Sequence, residues 1–186
     1  MLATMEKSWL AKIFSSRTSK PGTVATDADH TDAAVQFSLG LQCATGAGAA
    51  QDYAQAAIWY RQAAEQDHAL AQFNLGTMYA NGQGIPQDVP QSVIWYGRAA
   101  NLGDAGGQYK MGRICQRASM DGSPADAPEA RIEAYKWFRL AADQGYKDSA
   151  VAHETLTLNM TRADVTEAIQ RVDVFSAAQK SKSVTA

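Results

Sequence analysis

The sequence predicts an all-α chain, an α-solenoid of stacked helix-turn-helix repeats closed by helical caps. Three observations predict it. The segment Ala57-Ile58-Trp59-Tyr60-Arg61-Gln62-Ala63-Ala64 returns 36 residues later as Val93-Ile94-Trp95-Tyr96-Gly97-Arg98-Ala99-Ala100. The same shift carries Ala33 onto Ala69 and Ala105, Gln36 onto Gln72 and Gln108, Phe37 onto Phe73 and Tyr109, and Leu39-Gly40 onto Leu75-Gly76 and Met111-Gly112. Apolar residues recur at helical spacing between glycine and aspartate punctuation. A fixed period of this size marks units that bury their apolar faces against one another.

Taken in order, residues 1–28 precede the array. Met5, Trp9, Leu10, Ile13 and Phe14 share one helical face of residues 5–14, with Lys7 and Lys12 toward the other. This amphipathic helix lacks the unbroken apolar run of a secretory signal. Three placements fit it: a cap on the open end of the solenoid, a docking helix for a partner groove or a neighbouring copy, or a contact with an anionic membrane surface. The polar stretch from Ser15 to Ala28, with Pro21-Gly22, reads as a flexible linker, and Asp29, Thr31 or Asp32 is expected to cap the first repeat helix.

The repeats occupy 29–146, as units 33–68, 69–104 and 105–146. In unit two the first helix places Ala71, Leu75, Met78 and Tyr79 on one stripe. Asn81-Gly82-Gln83-Gly84 ends it with a left-handed glycine cap. Asp88 and Pro90 open the second helix, whose stripe is Val93, Ile94, Tyr96 and Ala100, and Leu102-Gly103 stops it. Unit three carries six extra residues between Gln116 and Arg131, because Trp95 and Trp137 lie 42 apart. Its Gly106-Gly107 pair is expected to weaken the first helix by roughly 1 kcal/mol per glycine. Residues 147–178 are read as a C-terminal helical cap, with Val165, Ile169, Val172 and Phe175 on one stripe of a last helix over 162–178. Residues 179–186 are read as a disordered tail.

These residues resemble the Sel1-like repeat family. Unit two fits its pattern throughout: Ala71, Leu75-Gly76-Thr77-Met78-Tyr79, Gly82-Gln83-Gly84, Asp88, Trp95-Tyr96, Ala99-Ala100 and Gly103. Unit one departs at Cys43 and Asp67, and unit three at Cys115 and the missing Gly-x-Gly loop. The resemblance implies a tetratricopeptide-like, right-handed superhelix whose members commonly serve as adaptors between proteins, abundantly in bacterial cytoplasm.

The net charge of −2 is unevenly spread: +3 over residues 1–20 and +2 over 171–186, leaving −7 for 21–170. An acidic repeat body argues against nucleic acid, which requires a basic stripe. No window approaches the roughly 20 apolar residues of a spanning helix. Cys43 and Cys115 lie two periods apart, roughly 20 Å if each helix pair advances by about 10 Å, beyond the 7 Å or so that a disulfide tolerates between Cα atoms. Two free, core-type thiols point to a reducing compartment, hence a cytoplasmic location. This also sets the chain apart from the cysteine-rich, secreted relatives in the family.

No catalytic constellation emerges. His30, His68 and His153 are too far apart for metal-ligand spacing, and read as exposed turn or helix residues. Neither a metal nor a cofactor is expected. Gly82-Gln83-Gly84 has no strand before it and no lysine after it, so it is a turn, not a phosphate loop. Glu129 and Glu133 read as a solvated helix face, and Trp59, Trp95 and Trp137 as core. The expected binding surface is the concave face lined by first helices, with Ser38, Gln42, Asn74, Thr77, Lys110 and Arg113 as candidates. Lys110, Arg113 and Arg117 form the one basic cluster of an acidic body, suited to a carboxylate or the C-terminus of a partner peptide. The insertion from Arg117 to Pro128 is a second candidate. The function expected is a non-enzymatic protein–protein interaction module, an adaptor or scaffold, as a monomer. Two rivals remain: an immunity protein that sequesters one bacterial effector enzyme, as the resemblance implies for some members, and a hydrolase like that claimed for cysteine-rich relatives. The last lacks a nucleophile with a base.

Overall fold

The computed structural model describes residues 30–48, 50–123, 125–146 and 148–185, all helices and turns. The segment 1–28, with its expected docking residues Trp9, Leu10, Ile13 and Phe14, lies outside them. Eight helices follow in order among the described residues: α1 (Ala33–Thr45), α2 (Tyr53–Glu65), α3 (Ala69–Asn81), α4 (Val89–Asn101), α5 (Ala105–Asp121), α6 (Ala127–Asp143), α7 (Ser149–Thr157) and α8 (Arg162–Thr185). Each packs on its sequence neighbour from α1 to α7, and α8 returns onto α6. The stack is an α-solenoid of three helix pairs with two further helices.

The local signals act as their chemistry dictates. Asp32, Asp52, Asp88 and Asp104 cap α1, α2, α4 and α5 through side-chain oxygens that accept backbone N–H groups. Thr161 and Asp164 exchange reciprocal hydrogen bonds of 3.2 Å at the start of α8. His68 is no idle turn residue: its Nδ1 accepts from the Ala71 N–H at 3.2 Å, and its ring stacks on Phe37 at 4.6 Å. Between paired helices the loops repeat as well. The Asp52 N–H donates to the Cys43 carbonyl at 2.9 Å, and the Asp88 N–H to the Tyr79 carbonyl at 2.9 Å.

Within each pair one contact sets the spacing. A Cβ added at Gly40, Gly76 or Gly112 would lie 2.6, 2.9 or 2.5 Å from the ring of Tyr60, Tyr96 or Phe138. Those rings also meet Phe37, Phe73 and Tyr109, with all three centroid separations at 5.8 Å. The repeated Leu-Gly or Met-Gly step is thus a notch for the aromatic ring of the second helix. Between units, Gly84 (φ +71°) lays its loop on the start of α2, where a Cβ would lie 2.3 Å from the Tyr53 carbonyl carbon.

The core differs from the expected stripes at three places. Gly106 and Gly107 are buried, and a Cβ on either would come within 2.9 Å of Phe73 or of Ala99 and the Ala100 nitrogen. The pair lets α5 approach α3 and α4, so packing outweighs its poor helix propensity. Ile94 is exposed, while the expected Trp95, Tyr96 and Ala100 of α4 are buried. In α8 the buried residues are Ala168 and Val172, with Ile169 exposed, so the stripe runs through Val165, Ala168, Val172 and Phe175.

The last helix also runs past residue 178 to Thr185, through the stretch expected to be a disordered tail. Its Trp137–Phe175 contact, edge-on at 5.4 Å, and a hydrogen bond from the Gln179 amide to the Asn101 carbonyl hold it against α6 and the end of α4. Arg171 clamps it further, donating to Glu129 at 2.6 and 3.0 Å, Glu133 at 2.8 Å and Glu167 at 2.5 Å. Glu129 and Glu133 are therefore the receiving side of the cap rather than an idle solvated face. Arg171 draws the Glu129 carboxyl below its usual range, and the three carboxylates raise Arg171 in turn.

Candidate functional site

The α4–α5 junction opens into a groove of about 510 Å³ that joins units two and three. Its floor is apolar, from Val93 and Tyr96 of α4 and Ile114 of α5, with Val89 and Met120 exposed at its edges. Its rim carries Lys110, Arg113 and Arg117, three successive turns of α5. The spacing of three and four residues puts all three cations on one side of that helix. Met120 is among the most exposed large apolar residues, so the groove presents apolar surface beside positive charge.

The cations are weakly engaged within the chain. Lys110 Nζ lies 5.9 Å from the Tyr96 ring centroid, a cation–π distance. Arg113 donates to the Tyr109 hydroxyl at a long 3.4 Å in an exposed setting. Arg117 meets Asp121 at 3.0 Å, with both side chains mostly in water, where such pairs contribute little. Among the described residues, neither Lys110 nor Arg113 forms an ion pair. An anion brought to this rim would meet charges that no buried partner holds back.

The other sequence candidates separate. Ser38 and Gln42 lie exposed on α1, away from the groove, and the Ser38 hydroxyl donates to the Ala34 carbonyl at 2.9 Å. Gln42 shares its repeat phase with Met78, a core residue between units, so it belongs to the outward face of unit one. Asn74 and Thr77 serve packing: the Asn74 side chain lies beside the Tyr60 hydroxyl and favours its ionised form against burial, and Thr77 Oγ1 accepts from the Tyr96 hydroxyl at 3.2 Å. Burial pushes both tyrosines above their ordinary range. The groove is therefore walled by a first helix and the preceding second helix, not by a row of first helices. The α4 wall was the part that sequence reasoning missed. Its signal was Val89 and Val93 at i, i+4, ending at Tyr96.

Burial pushes the Cys115 thiol up to about 11 and also raises Cys43. Both cysteines are free. Among the described residues no helix is long and apolar enough to cross a membrane.

A family model for the Sel1 repeat matches residues 33–68, 69–104 and 105–146. Among solved structures, the chain is similar to a protective antigen of uropathogenic Escherichia coli strains that displays an SLR fold. The identity is 40% with a TM-score of 0.53, over 61% of this chain and 23% of that one. It is also similar to a Sel1 repeat protein from Oxalobacter formigenes, at 28% identity with a TM-score of 0.61, over 82% of this chain and 56% of that one. The chain thus spans less than two thirds of either. No curated protein matches it.

Proposed function

Because the chain belongs to the Sel1 repeat family, whose members generally serve as non-enzymatic scaffolds for protein–protein interaction, we propose that it binds an acidic segment of a partner protein in the α4–α5 groove. The carrying observation is the three unburied cations, Lys110, Arg113 and Arg117, aligned over an apolar floor in an acidic repeat body. A peptide carboxylate, from acidic side chains or a C-terminus, pairs with the arginines in forked geometry. An apolar residue beside it enters between Val93 and Ile114. The groove's walls are two packed helices, so binding requires little backbone rearrangement. We place this function in a bacterial cytoplasm, with the protein as a monomer. Two free thiols and the bacterial sources of the similar structures support the setting.

Peptides selected by display against the whole chain test the reading. The selected set is expected to be acidic. A variant with Lys110→Glu, Arg113→Glu and Arg117→Glu is expected to bind it at least tenfold more weakly, since reversal turns attraction into repulsion. Equal binding to wild type and variant, or a selected set without acidic character, would sink the proposal.

A further inference from the structure

Repeat symmetry singles out one face as incomplete. In unit two, Ala71, Leu75, Met78 and Trp95 are buried, with Leu75 fully so and Trp95 at 8% exposure. They face unit one: Leu75, Met78 and Trp95 share a core cluster with Ala56, Tyr60 and Ala63. Trp137 of unit three is likewise buried, at 6%. Their counterparts in unit one are Val35, Leu39, Gln42 and Trp59, and none of these is buried. Among the described residues, the aromatic neighbour of the Trp59 ring is His30, at 6.3 Å between centroids.

A second observation concerns the loops. Gly84 seats its loop on the backbone of the preceding second helix, whereas a Cβ at the equivalent Gly48 would meet nothing within 4 Å among the described residues. The socket that unit one fills for unit two has no described filler for unit one.

We propose that residues 5–14 of this chain form a helix that covers this face in cis, with Trp9, Leu10, Ile13 and Phe14 against Val35, Leu39 and Trp59. Their five-residue apolar stripe, Met5 included, matches an apolar face that is only half-buried, where its counterpart in unit two is buried. Charge is complementary: residues 1–20 carry Lys7, Lys12, Arg17 and Lys20 against Glu6, while residues 30–68 carry Asp32, Asp52, Glu65 and Asp67 against Arg61. The described chain enters beside Trp59, where Gln36 donates to the His30 carbonyl at 2.8 Å. The intervening residues 15–29 reach about 50 Å when extended, ample for a return to that face. The groove proposed above plays no part in this inference.

Hydrogen exchange of the full chain, read by mass spectrometry alongside light scattering, tests it. The Leu10→Asp/Ile13→Asp variant alters no residue of the repeats, so their folding is not at stake. Exchange in peptides covering residues 35–42 and 53–62 is expected to quicken about tenfold in the variant, at monomer mass throughout, because the helix no longer shields α1 and α2. Three results would overturn the proposal. One is unchanged exchange. Another is protection that grows with protein concentration as dimer mass appears, which assigns the face to a second copy. The last is sedimentation of wild type with phosphatidylcholine–phosphatidylglycerol vesicles while exchange in unit one is the same in both forms, which assigns the helix to membrane.

Discussion

The Gln144 amide donates to Oε1 of the buried Gln108 at 2.9 Å, and to the Gly103 carbonyl at 3.0 Å. Gln66 does the same for Gln36 and the Thr31 carbonyl, both at 2.8 Å. Unit two has Leu102 at this position, and the Oε1 of its fully buried Gln72 has no hydrogen-bond partner. One buried acceptor in the array is left unsatisfied by a single residue.

Leu102→Gln is therefore expected to stabilise the chain by about 1 kcal/mol, the usual net value of restoring a hydrogen bond to a buried acceptor. Gln144→Leu should cost a similar or larger amount by orphaning Gln108. Urea denaturation with unchanged slope measures both. A destabilised Leu102→Gln would show that the Leu102 contacts near Phe175 outweigh the polar gain.

Gly107→Ala should destabilise, although alanine is the better helix former by about 1 kcal/mol. Its Cβ would meet the Ala100 nitrogen and Ala99 Cβ at 2.9 Å, atoms that cannot swing aside. The net cost is expected at about 1–3 kcal/mol, the range for overpacking, read as a lowered thermal midpoint. Alanine at the exposed Gly122 gives no such contrast, because its own Cβ would crowd the Ala118 carbonyl.

Stability should fall below neutral pH through His153. Burial depresses its folded pKa beneath the ordinary 6.5, and the nearby Arg139 adds to this while Asp143 and Glu154 oppose it. Its Nε2 is buried without a partner, and its ring lies 4.3 Å from Tyr135. As pH drops below 6.5 the unfolded chain takes up a proton that the folded chain refuses, so stability declines there and is flat above. Glu129, depressed by Arg171, acts only at lower pH, where its protonation removes stability. Melting points between pH 7.5 and 5.5 should slope for wild type and flatten for His153→Leu.

Cys115 should resist alkylation. A thiol pushed up to about 11 from 9.0 holds about a hundredfold less thiolate at pH 8 than an ordinary cysteine. Timed iodoacetamide labelling, resolved by peptide, should give a rate lower by about that factor in the native chain and an ordinary rate in denaturant. A fast native rate would mean that α5 and α6 open readily around it.

The repeated parts were legible because each signal is local and recurs: Asp88 as a cap and Gly82 as a stop have counterparts in Asp52 and Gly46 of unit one, and Trp95 has counterparts in Trp59 and Trp137. What escaped depends on partners distant in sequence. Gly106-Gly107 looks weak by helix propensity, yet Phe73 and Ala99 demand its small size. Asn74 and Thr77 sit where first helices are free to vary, yet tyrosine hydroxyls need partners once buried. Ile169 outranks Ala168 in hydrophobicity, but the close approach of α8 to α6 selects the smaller residue. The basic rim of the groove was visible as a cluster on α5. Its apolar floor needed α4 alongside.

The reach of α8 from unit three to the Asn101 carbonyl alters how the array comes apart. In a chain of nearest-neighbour units each end frays on its own. Here the last helix splints two units together, so α6 cannot peel off without also breaking the Gln179 link to α4. The C-terminal end of the array is thereby tied across two units instead of one, a link that its repeat period does not supply.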